Sequence, residues 1–452
     1  MAELTIAQAA AWCGGTYDEK YANVVFNGAV NDSRQVRHGR LFLALQGTRD
    51  GHEFIPMAIK KGAAAVLCTH CREDVPALIV PDVRLALGQI AKGVREKSRM
   101  KVVGITGSVG KSTTKEMVAC VLSRAYVTEK TPANHNNDIG LPMALLDMPD
   151  DVEVAVLEMG MNHFGEISYL TRIAQPDLAV ITNIGTMHME NLGSQAGILK
   201  AKLEILEGMP KNGQIVLNGD DRHLWEQKKL PVAVTYAGIR NGECDLVARD
   251  LREEDGKITF RACYDGREIP IMLPIEGLHF VPDALSAICV GLLMGMEEAD
   301  IAAALAGFRN MEGRLEICQV RGITVIKDWY NAGPESMAAA LVVLGKQPGR
   351  RIAVLGDMLE LGNISSAEHF RIGRIAASVA DYVLAYGPMS AQVVKGCLTG
   401  GMPPSRARAF EDPDSLGAVL ESLAEKGDAL LIKGSHGMHM ERIAGKFLKE
   451  KT

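Results

Sequence analysis

The sequence lacks the features of a membrane, secreted or nucleic-acid-binding protein. Its 452 residues contain no apolar run of about 18 residues. The first residues, MAELTIAQAAAWCGG, have neither the basic start nor the long apolar stretch of a signal peptide. The net charge of −6 provides no basic surface for nucleic acid or an anionic membrane. We therefore expect a cytoplasmic protein that binds small molecules, with no membrane insertion and no nucleic-acid partner.

A disulfide pattern is also missing. The nine cysteines are an odd number spread from Cys13 to Cys397, which fits reduced thiols better than a disulfide framework. Cys68 and Cys71 form a Cys-x-x-Cys pair with His70 between them, which leaves zinc binding or redox chemistry as an alternative. The sequence shows neither further ligands at metal-binding spacing nor a thioredoxin-like context, so reduced thiols are the favoured interpretation.

What the sequence does have is an alternation of strands and helices. A chain of 452 residues is too long for one ordinary domain and suggests several. Strands alternate with helical segments in the central region, which predicts a parallel sheet covered by helices on both faces. We predict three α/β domains: an N-terminal domain over 1–98, a central domain over 99–311 and a Rossmann-like domain over 312–452. The last domain lacks G-x-G-x-x-G, which argues against a dinucleotide site there.

The clearest motif is a glycine loop between a strand and a helix, KVVGITGSVGKSTTK, Lys101 to Lys115. Backbone N–H groups of such a loop, a P-loop, turn inward around phosphate oxygens at the positive end of the helix. Lys111 is expected to reach the β- and γ-phosphates and Ser112 to bind Mg²⁺, whereas a glycine-rich turn that binds nothing is the alternative. The predicted nucleotide-binding residues are Gly107, Ser108, Val109, Gly110, Lys111, Ser112 and Thr113.

Three further polar residues follow predicted strands or lie on a predicted helix. Glu158 ends the buried strand Val154–Leu157 at the carboxyl edge of the sheet, where a carboxylate is a natural Mg²⁺ ligand; helix capping or ion pairing is the alternative. His188 follows the strand Leu178–Thr182, and a lone histidine at such a place is more often structural. Lys202 lies on the amphipathic helix 197–205, and composition alone gives no reason to single it out.

The glycine loop is unusually short, because only two residues separate Gly107 from Gly110. It resembles the Thr-Gly-x-x-Gly-Lys-[Ser/Thr]-Thr loop of the Mur ligases, the ATP-dependent amide-bond-forming enzymes of cell-wall precursor synthesis. Other segments resemble this family in the same order along nearly the whole chain: DSR at 32–34, NHNNDIG at 134–140, NHFGEI at 162–167, AKLEI at 201–205, GRLE at 313–316, YNAGPESM at 330–337 and KGSHGMHME at 433–441. Within the family, the segments are most similar to the member that adds the terminal dipeptide.

The resemblance implies roles for individual residues. Ser33 and Arg34 belong to the domain that holds the uridine diphosphate end of the substrate. His188 matches a histidine that helps to hold a second metal ion, and Lys202 matches a lysine that CO₂ can convert to a carbamate ligand. The other implied site residues are Asn137, Asn162, Tyr330 and Asn331 for the substrates, Arg314 for the nucleotide phosphates and Asp328 for the ribose hydroxyls.

The resemblance also implies a reaction. ATP would phosphorylate the terminal carboxylate of a UDP-muramoyl-tripeptide, and the amine of D-Ala-D-Ala would attack the acyl phosphate. Lys111 and two Mg²⁺ ions would neutralise charge on the transferring phosphoryl group. The central and C-terminal domains would close over ATP about a hinge near Glu312. No coiled coil or exposed apolar stripe argues for an oligomer, so we expect a monomer.

Six positions depart from the family pattern: Phe280, Asp283, Lys327, Gly333, His436 and Gly437. Phe280 and Asp283 stand where the family has two asparagines, the first of them near the adenine. His436 replaces an arginine, so a permanent cation becomes one that is only partly charged near neutrality. These departures keep open a sister ligase or a divergent relative that uses another amino acid or amine. A non-catalytic nucleotide-binding scaffold is a further alternative, although a scaffold does not need the second-metal positions.

Overall fold

The computed structural model describes residues 3–311 and 313–448, which form three α/β domains in chain order. Sheets of four, nine and six strands form the centres of these domains. The predicted fold, with a parallel central sheet and a Rossmann-like last domain, is confirmed. Glu312, the predicted hinge position, lies outside the described residues. Within the two described ranges, no helix combines the length and the apolar character needed to cross a bilayer.

The N-terminal domain has a small parallel sheet. Its elements are β1 (Glu3–Thr5), α1 (Ile6–Cys13), β2 (Val25–Asn27), β3 (Ala29–Val30), β4 (Leu41–Leu43), α2 (Ile55–Lys60), β5 (Ala65–Cys68), β6 (Ala77–Ile79) and α3 (Val83–Lys97). Strands β3 to β6 pair in parallel in that order, and β1 pairs with β2 separately. The carboxylate of Asp82 caps α3 by accepting from the N–H groups of Arg84 and Leu85. Arg95 of α3 joins this domain to the central one, because it pairs with Asp177 at 3.2 Å.

The central domain contains the longest sheet. Its strands are β7 (Lys101–Thr106), β8 (Thr128–Lys130), β9 (Val154–Glu158), β10 (Leu178–Ile181), β11 (Gln214–Asn218), β12 (Ala233–Gly238), β13 (Leu246–Glu254), β14 (Lys257–Tyr264) and β15 (Arg267–Leu273). Its helices are α4 (Lys111–Leu122), α5 (Gly140–Asp147), α6 (Glu166–Ala174), α7 (Met189–Leu192), α8 (Gln195–Leu203), α9 (Arg222–Trp225), α10 (Val281–Leu293) and α11 (Glu298–Ala306).

The strand order of this sheet, β15-β14-β13-β12-β11-β10-β7-β9-β8, places β7 between β10 and β9. Strands β7 to β13 are parallel, and β14 and β15 form the predicted antiparallel hairpin around Asp265 and Gly266. Successive residues of β7 pack into opposite cores: Val102 faces the core shared with the N-terminal domain, and Val103 faces the core with α4 and α10. Burial on both faces explains the continuous apolar run of β7.

The C-terminal domain has a six-stranded sheet with helices on both faces. Its elements are β16 (Glu316–Val320), β17 (Ile323–Asp328), α12 (Pro334–Lys346), β18 (Arg351–Gly356), α13 (Ser365–Val379), β19 (Tyr382–Tyr386), α14 (Ser390–Thr399), β20 (Ala407–Phe410), α15 (Pro413–Leu423), β21 (Ala429–Lys433) and α16 (Met440–Leu448). The order is β16-β17-β21-β18-β19-β20, and only β16 in this sheet is antiparallel to its neighbour. The parallel strands β17 and β21 end together at Asp328 and Lys433, which both reach the site described below.

The Cys-x-x-Cys segment of the N-terminal domain carries free thiols. Burial raises the pKa of Cys68 to about 12 and also raises the pKa of Cys71. Across residues 3–311 and 313–448, no group of three or more His, Cys, Asp or Glu side chains is arranged to hold a metal ion. A raised pKa keeps a thiol protonated near neutral pH, so neither Cys68 nor Cys71 is activated as a nucleophile.

Candidate active site

The carboxyl edge of the central sheet opens into a cavity of about 1170 Å³. The loops that follow β7, β8, β9 and β10 line one side of it. Residues that follow β17 and β21 of the C-terminal domain line the opposite side, and Arg84 and Leu85 on α3 of the N-terminal domain also contribute. All three domains therefore border one cavity, and its size exceeds what a single small ligand needs.

The glycine loop after β7 has backbone geometry that only glycine provides at two positions. A Cβ on Gly107, whose φ is +152°, would lie 1.8 Å from the hydroxyl oxygen of Thr182. Gly110 has a left-handed φ of +85° just before α4 begins. The N–H of Val109 donates to the side chain of Asn183 at 3.0 Å, which holds the loop against the end of β10. The loop is thus fixed at the start of α4, where free N–H groups attract anions.

Lys111 is the first residue of α4 and folds back along this loop. Its Nζ donates to the carbonyl oxygens of Gly107 and Ser108 at 2.9 and 3.2 Å. Burial lowers the pKa of Lys111, and the attraction of Glu158 opposes this effect only in part. A bound phosphate would favour the charged amine, as the predicted role of Lys111 requires.

Ser112 connects the loop to β9 and to the C-terminal domain. Its hydroxyl donates to Glu158 Oε2 at 2.6 Å and accepts from the guanidinium of Arg314 at 2.7 Å. Glu158 is 2% exposed and also accepts from Asn136 Nδ2 at 3.0 Å. The structure therefore brings together Ser112 and Glu158, the two predicted ligands of the first ion. Their hard oxygen donors suit Mg²⁺, which usually takes only one or two protein carboxylates.

Two side chains around Glu158 are absent from the sequence-based prediction. Lys115 is fully buried, lies 3.8 Å from Glu158 Oε2 and donates to a backbone carbonyl at 2.9 Å. Asn136 binds Glu158, whereas the side chain of the predicted Asn137 accepts from a backbone N–H of its own turn at 2.8 Å. The NHNNDIG segment indicates this loop in the sequence, but only the fold shows which of its neighbouring asparagines binds Glu158.

Lys202 and Lys200 lie on the same helix, α8, in opposite environments. Lys202 is 1% exposed and has no hydrogen-bond or ion-pair partner in the part of the chain that the structure describes. Burial lowers its pKa well below the usual range, and repulsion from Lys111 adds to the effect. Lys200 is exposed, with its amine 5.7 Å from the centre of the Phe164 ring. A neutral buried amine is the form that can add CO₂, so the environment distinguishes Lys202 from Lys200.

His188 lies between β10 and α7 and lines the cavity. Its Nδ1 is 2.8 Å from Oε2 of Glu360, a residue of the C-terminal domain. Burial lowers the pKa of His188, and the hydrogen bond to Glu360 opposes this effect. The prediction did not include Glu360, because the two residues are 172 positions apart and belong to different domains.

The C-terminal side of the cavity carries the predicted nucleotide residues Arg314 and Asp328. The guanidinium of Arg314 lies 3.8 Å from the centre of the Tyr330 ring. Asp328 accepts from a backbone N–H at 3.2 Å and pairs with Lys433 at 2.6 Å. Arg314 lies beside the glycine loop through its bond to Ser112, while ribose binding by Asp328 stays a prediction.

The predicted substrate residues fall into two groups. Those that line the cavity are Asn137, Asn162, Tyr330 and Asn331. Ser33 and Arg34 are not part of this lining: Ser33 is buried, and the exposed Arg34 pairs with Asp32 at 2.8 Å. The role of Ser33 and Arg34 in holding the uridine diphosphate end stays a prediction.

Two of the six departures, Phe280 and Asp283, lie at the start of α10 and line the cavity, and Asp283 lies directly behind the glycine loop. Asp283 accepts from the hydroxyl of Thr114 at 2.8 Å, and its Oδ1 would lie 2.5 Å from a Cβ on Gly110. Burial raises the pKa of Asp283 to about 7. The neutral acid resembles the family's asparagine in shape and polarity, so the substitution is compatible with the loop below that pH. Phe280 is 4% exposed and packs into the core with α4 and α10.

Replacing Asp283 with asparagine should stabilise the protein more at high pH than at low pH. Since the folded-state pKa of about 7 lies above the ordinary 3.8, ionisation costs stability progressively as pH rises between these values, and the cost is complete above 7. Asparagine has no such cost and can still accept from Thr114. Thermal unfolding at about pH 5 and about pH 8 should show a gain that grows by roughly 3 °C or more. An equal melting temperature of both proteins at the higher pH would contradict this expectation.

The other departures lie in the C-terminal domain. Lys327 pairs with Glu316 of the neighbouring strand at 2.9 Å. Gly333 lies against the central domain, where an added Cβ would be 2.8 Å from Cγ of Met187. The ring of His436 lies 6.2 Å from that of Tyr330. A Cβ on Gly437 would lie 3.0 Å from Cδ1 of Leu359, a tight contact with the end of that side chain.

Comparison with known families agrees with this geometry. Three family models match consecutive segments: the Mur ligase family catalytic domain over 26–95, the Mur ligase middle domain over 105–291 and the Mur ligase glutamate ligase domain over 313–436. The chain belongs to the Mur ligase family and is a ligase.

Full-length relatives identify the branch of the family. UDP-N-acetylmuramoyl-tripeptide–D-alanyl-D-alanine ligase of Bacillus subtilis is 38% identical over 98% of each chain. The Escherichia coli enzyme of the same name is 35% identical over 93% of this chain and 94% of its own. MurF from Acinetobacter baumannii has a TM-score of 0.90 and 31% identity over 100% of both chains. MurF from Thermotoga maritima in complex with ADP has a TM-score of 0.83 and 28% identity, over 94% of this chain and 97% of its own. The resemblance to the dipeptide-adding branch is confirmed.

Proposed function

We propose that this protein joins D-alanyl-D-alanine to UDP-N-acetylmuramoyl-tripeptide and uses ATP to do so. The observation that carries the proposal is the single cavity in which the glycine loop, Glu158 and Arg314 meet residues of all three domains. Full-length similarity to enzymes named for this reaction supports these two substrates. The ADP complex of the Thermotoga relative supports ATP as the phosphoryl donor.

The chemistry starts from a carboxylate, which must be activated because its oxygen is a poor leaving group. An oxygen of the tripeptide carboxylate attacks the γ-phosphorus of ATP, ADP leaves, and an acyl phosphate forms. The amine of the dipeptide then attacks the acyl carbon, loses a proton and expels inorganic phosphate, which leaves the new amide bond. Lys111, the N–H groups of the loop and Arg314 hold the phosphates in line, so positioning and electrostatics supply most of the catalysis.

The donor chemistry of the site fits Mg²⁺. Ser112 and Glu158 would hold one ion, and His188 with the carbamate form of Lys202 would hold a second. Bound Mg²⁺ supplies positive charge that stabilises the transferring phosphoryl group. The bond from Arg314 fixes the orientation of the Ser112 hydroxyl, and Asn136 fixes the carboxylate of Glu158.

The first experiment measures phosphate release from ATP and Mg²⁺ in the presence of UDP-muramoyl-tripeptide, with D-Ala-D-Ala or single amino acids as the second substrate. We expect release to depend on the dipeptide and mass spectrometry to show the pentapeptide product. Turnover with a single amino acid in place of the dipeptide would identify a sister ligase instead. ATP binding without turnover of any wall precursor would favour the scaffold.

A further inference from the structure

Two strained residues meet where the central domain contacts the C-terminal domain. His188 has a φ of +64° and Glu360 a φ of +63°, a left-handed conformation that residues other than glycine rarely adopt. Their side chains are joined by the hydrogen bond of 2.8 Å. Such a conformation is unfavourable and persists only where the surroundings impose it. Two of them in one contact therefore point to a role for this pair.

The segment around Glu360 is held tightly against the start of α7. A short 3-10 helix, Gly362–Ile364, follows Glu360 and packs on α7. A Cβ on Gly362, whose φ is +53°, would lie 3.0 Å from Cα of Glu190, so a larger residue does not fit there without displacement. This close contact places a carboxylate of the C-terminal domain directly at His188.

The carboxylate determines which nitrogen of His188 carries hydrogen. An ionised Glu360 can only accept, so Nδ1 of His188 donates to it. In a neutral imidazole, Nε2 is then left as the acceptor. His188 lines the cavity and Glu360 does not, so Nε2 is the nitrogen available to the site. Without Glu360, either nitrogen could carry the hydrogen.

We propose that Glu360 is a positioning residue, which orients His188 and fixes its tautomer when the C-terminal domain contacts the central domain. The proposal rests on the proposed function and extends it, because it makes a residue of the last domain necessary for the phosphoryl-transfer site of the central one. The protein is then able to transfer the phosphoryl group only when the C-terminal domain contacts the central domain. An open protein has His188 in mixed tautomers, and the closed protein has one.

The test compares Glu360→Ala and Glu360→Gln with the unchanged protein. NMR of isotope-labelled imidazole nitrogens reports the tautomer of His188, whose signals are assigned by their loss in His188→Gln. We expect the Nδ1–H form in the unchanged protein, a mixture in Glu360→Ala and largely the Nδ1–H form in Glu360→Gln, since a glutamine oxygen also accepts. The kcat for ligation should fall by about 10- to 100-fold in Glu360→Ala, with partial rescue in Glu360→Gln and unchanged KM values.

A matched control is Glu335→Gln, which changes another carboxylate in the contact between the same two domains. Glu335 accepts from the hydroxyl of Thr186 at 3.1 Å and does not contact His188, so the His188 tautomer should not change. The proposal is overturned if Glu360→Ala keeps the Nδ1–H form, whatever its kcat. A tautomer shift in a protein that ligates no wall precursor would instead overturn the proposed function and leave the positioning role intact.

Discussion

Replacing Lys111 with methionine should lower the rate of dipeptide-dependent phosphate release by about 10³-fold. Among the residues that the structure describes, the amine of Lys111 donates only to the carbonyl oxygens of Gly107 and Ser108, so its positive charge is available to the phosphates of ATP. Methionine has a similar length but no amine, so it removes the positive charge that neutralises negative charge on the transferring phosphoryl group. Steady-state release of phosphate, with thermal unfolding measured on the same samples, tests this.

The control for this substitution is Lys101→Met, in the same strand–loop–helix unit. The side chain of Lys101 is 59% exposed and pairs weakly with Asp177 at 3.5 Å. An exposed pair of this kind contributes about 0–1 kcal/mol, so this variant should keep both activity and fold. Near-normal turnover in Lys111→Met would show that the loop does not hold the reacting phosphates.

Replacing Lys202 with methionine should lower the rate of ligation by on the order of 100-fold while the protein becomes no less stable. Its amine is buried and has no hydrogen-bond or ion-pair partner among the described residues, and its lowered pKa favours the neutral form that can add CO₂ and lose a proton to become a carbamate. Methionine fills the same space without an unpaired polar group, so the fold does not suffer. Ligation rate and melting temperature, measured together, distinguish a loss of chemistry from a loss of folding.

Lys200→Met is the matched control, because Lys200 lies on the same helix but is exposed. We expect this variant to ligate normally. With isotope-labelled bicarbonate, a carbamate signal in the carbon NMR spectrum should be present in the unchanged protein and in Lys200→Met and absent from Lys202→Met. A fully active Lys202→Met would remove this residue from the site.

The sequence predicts strands well where both faces of a sheet are buried. The run Val154–Leu157 predicts β9 to within one residue, and the turn at Asp265 and Gly266 predicts the hairpin of β14 and β15. It does not predict that β13, β14 and β15 extend the central sheet to nine strands, because a hairpin pattern does not specify which sheet the hairpin joins; β13 reaches the sheet by pairing with Ala237 and Gly238 of β12. Local patterns specify an element, whereas the order of strands depends on contacts across the whole domain.

The same limit applies to the site. The contact between Ser112 and Glu158 is predictable, since both follow parallel strands that end at one edge of the sheet. Lys115 and Glu360 are not, because a buried lysine and an ion pair across domains leave no local pattern. The environments of Lys200 and Lys202 likewise depend on what α8 packs against.

The close contact of Gly333 with Met187 links two positions that the chain separates by most of a domain. A side chain at 333 would collide with Met187 in the arrangement described here. A chain with asparagine at this position therefore needs a smaller residue at 187 or a wider gap between the domains. The glycine at 333 thus lets the Met187 side chain reach across the contact between the domains, and Gly333→Asn should displace that side chain or widen the gap.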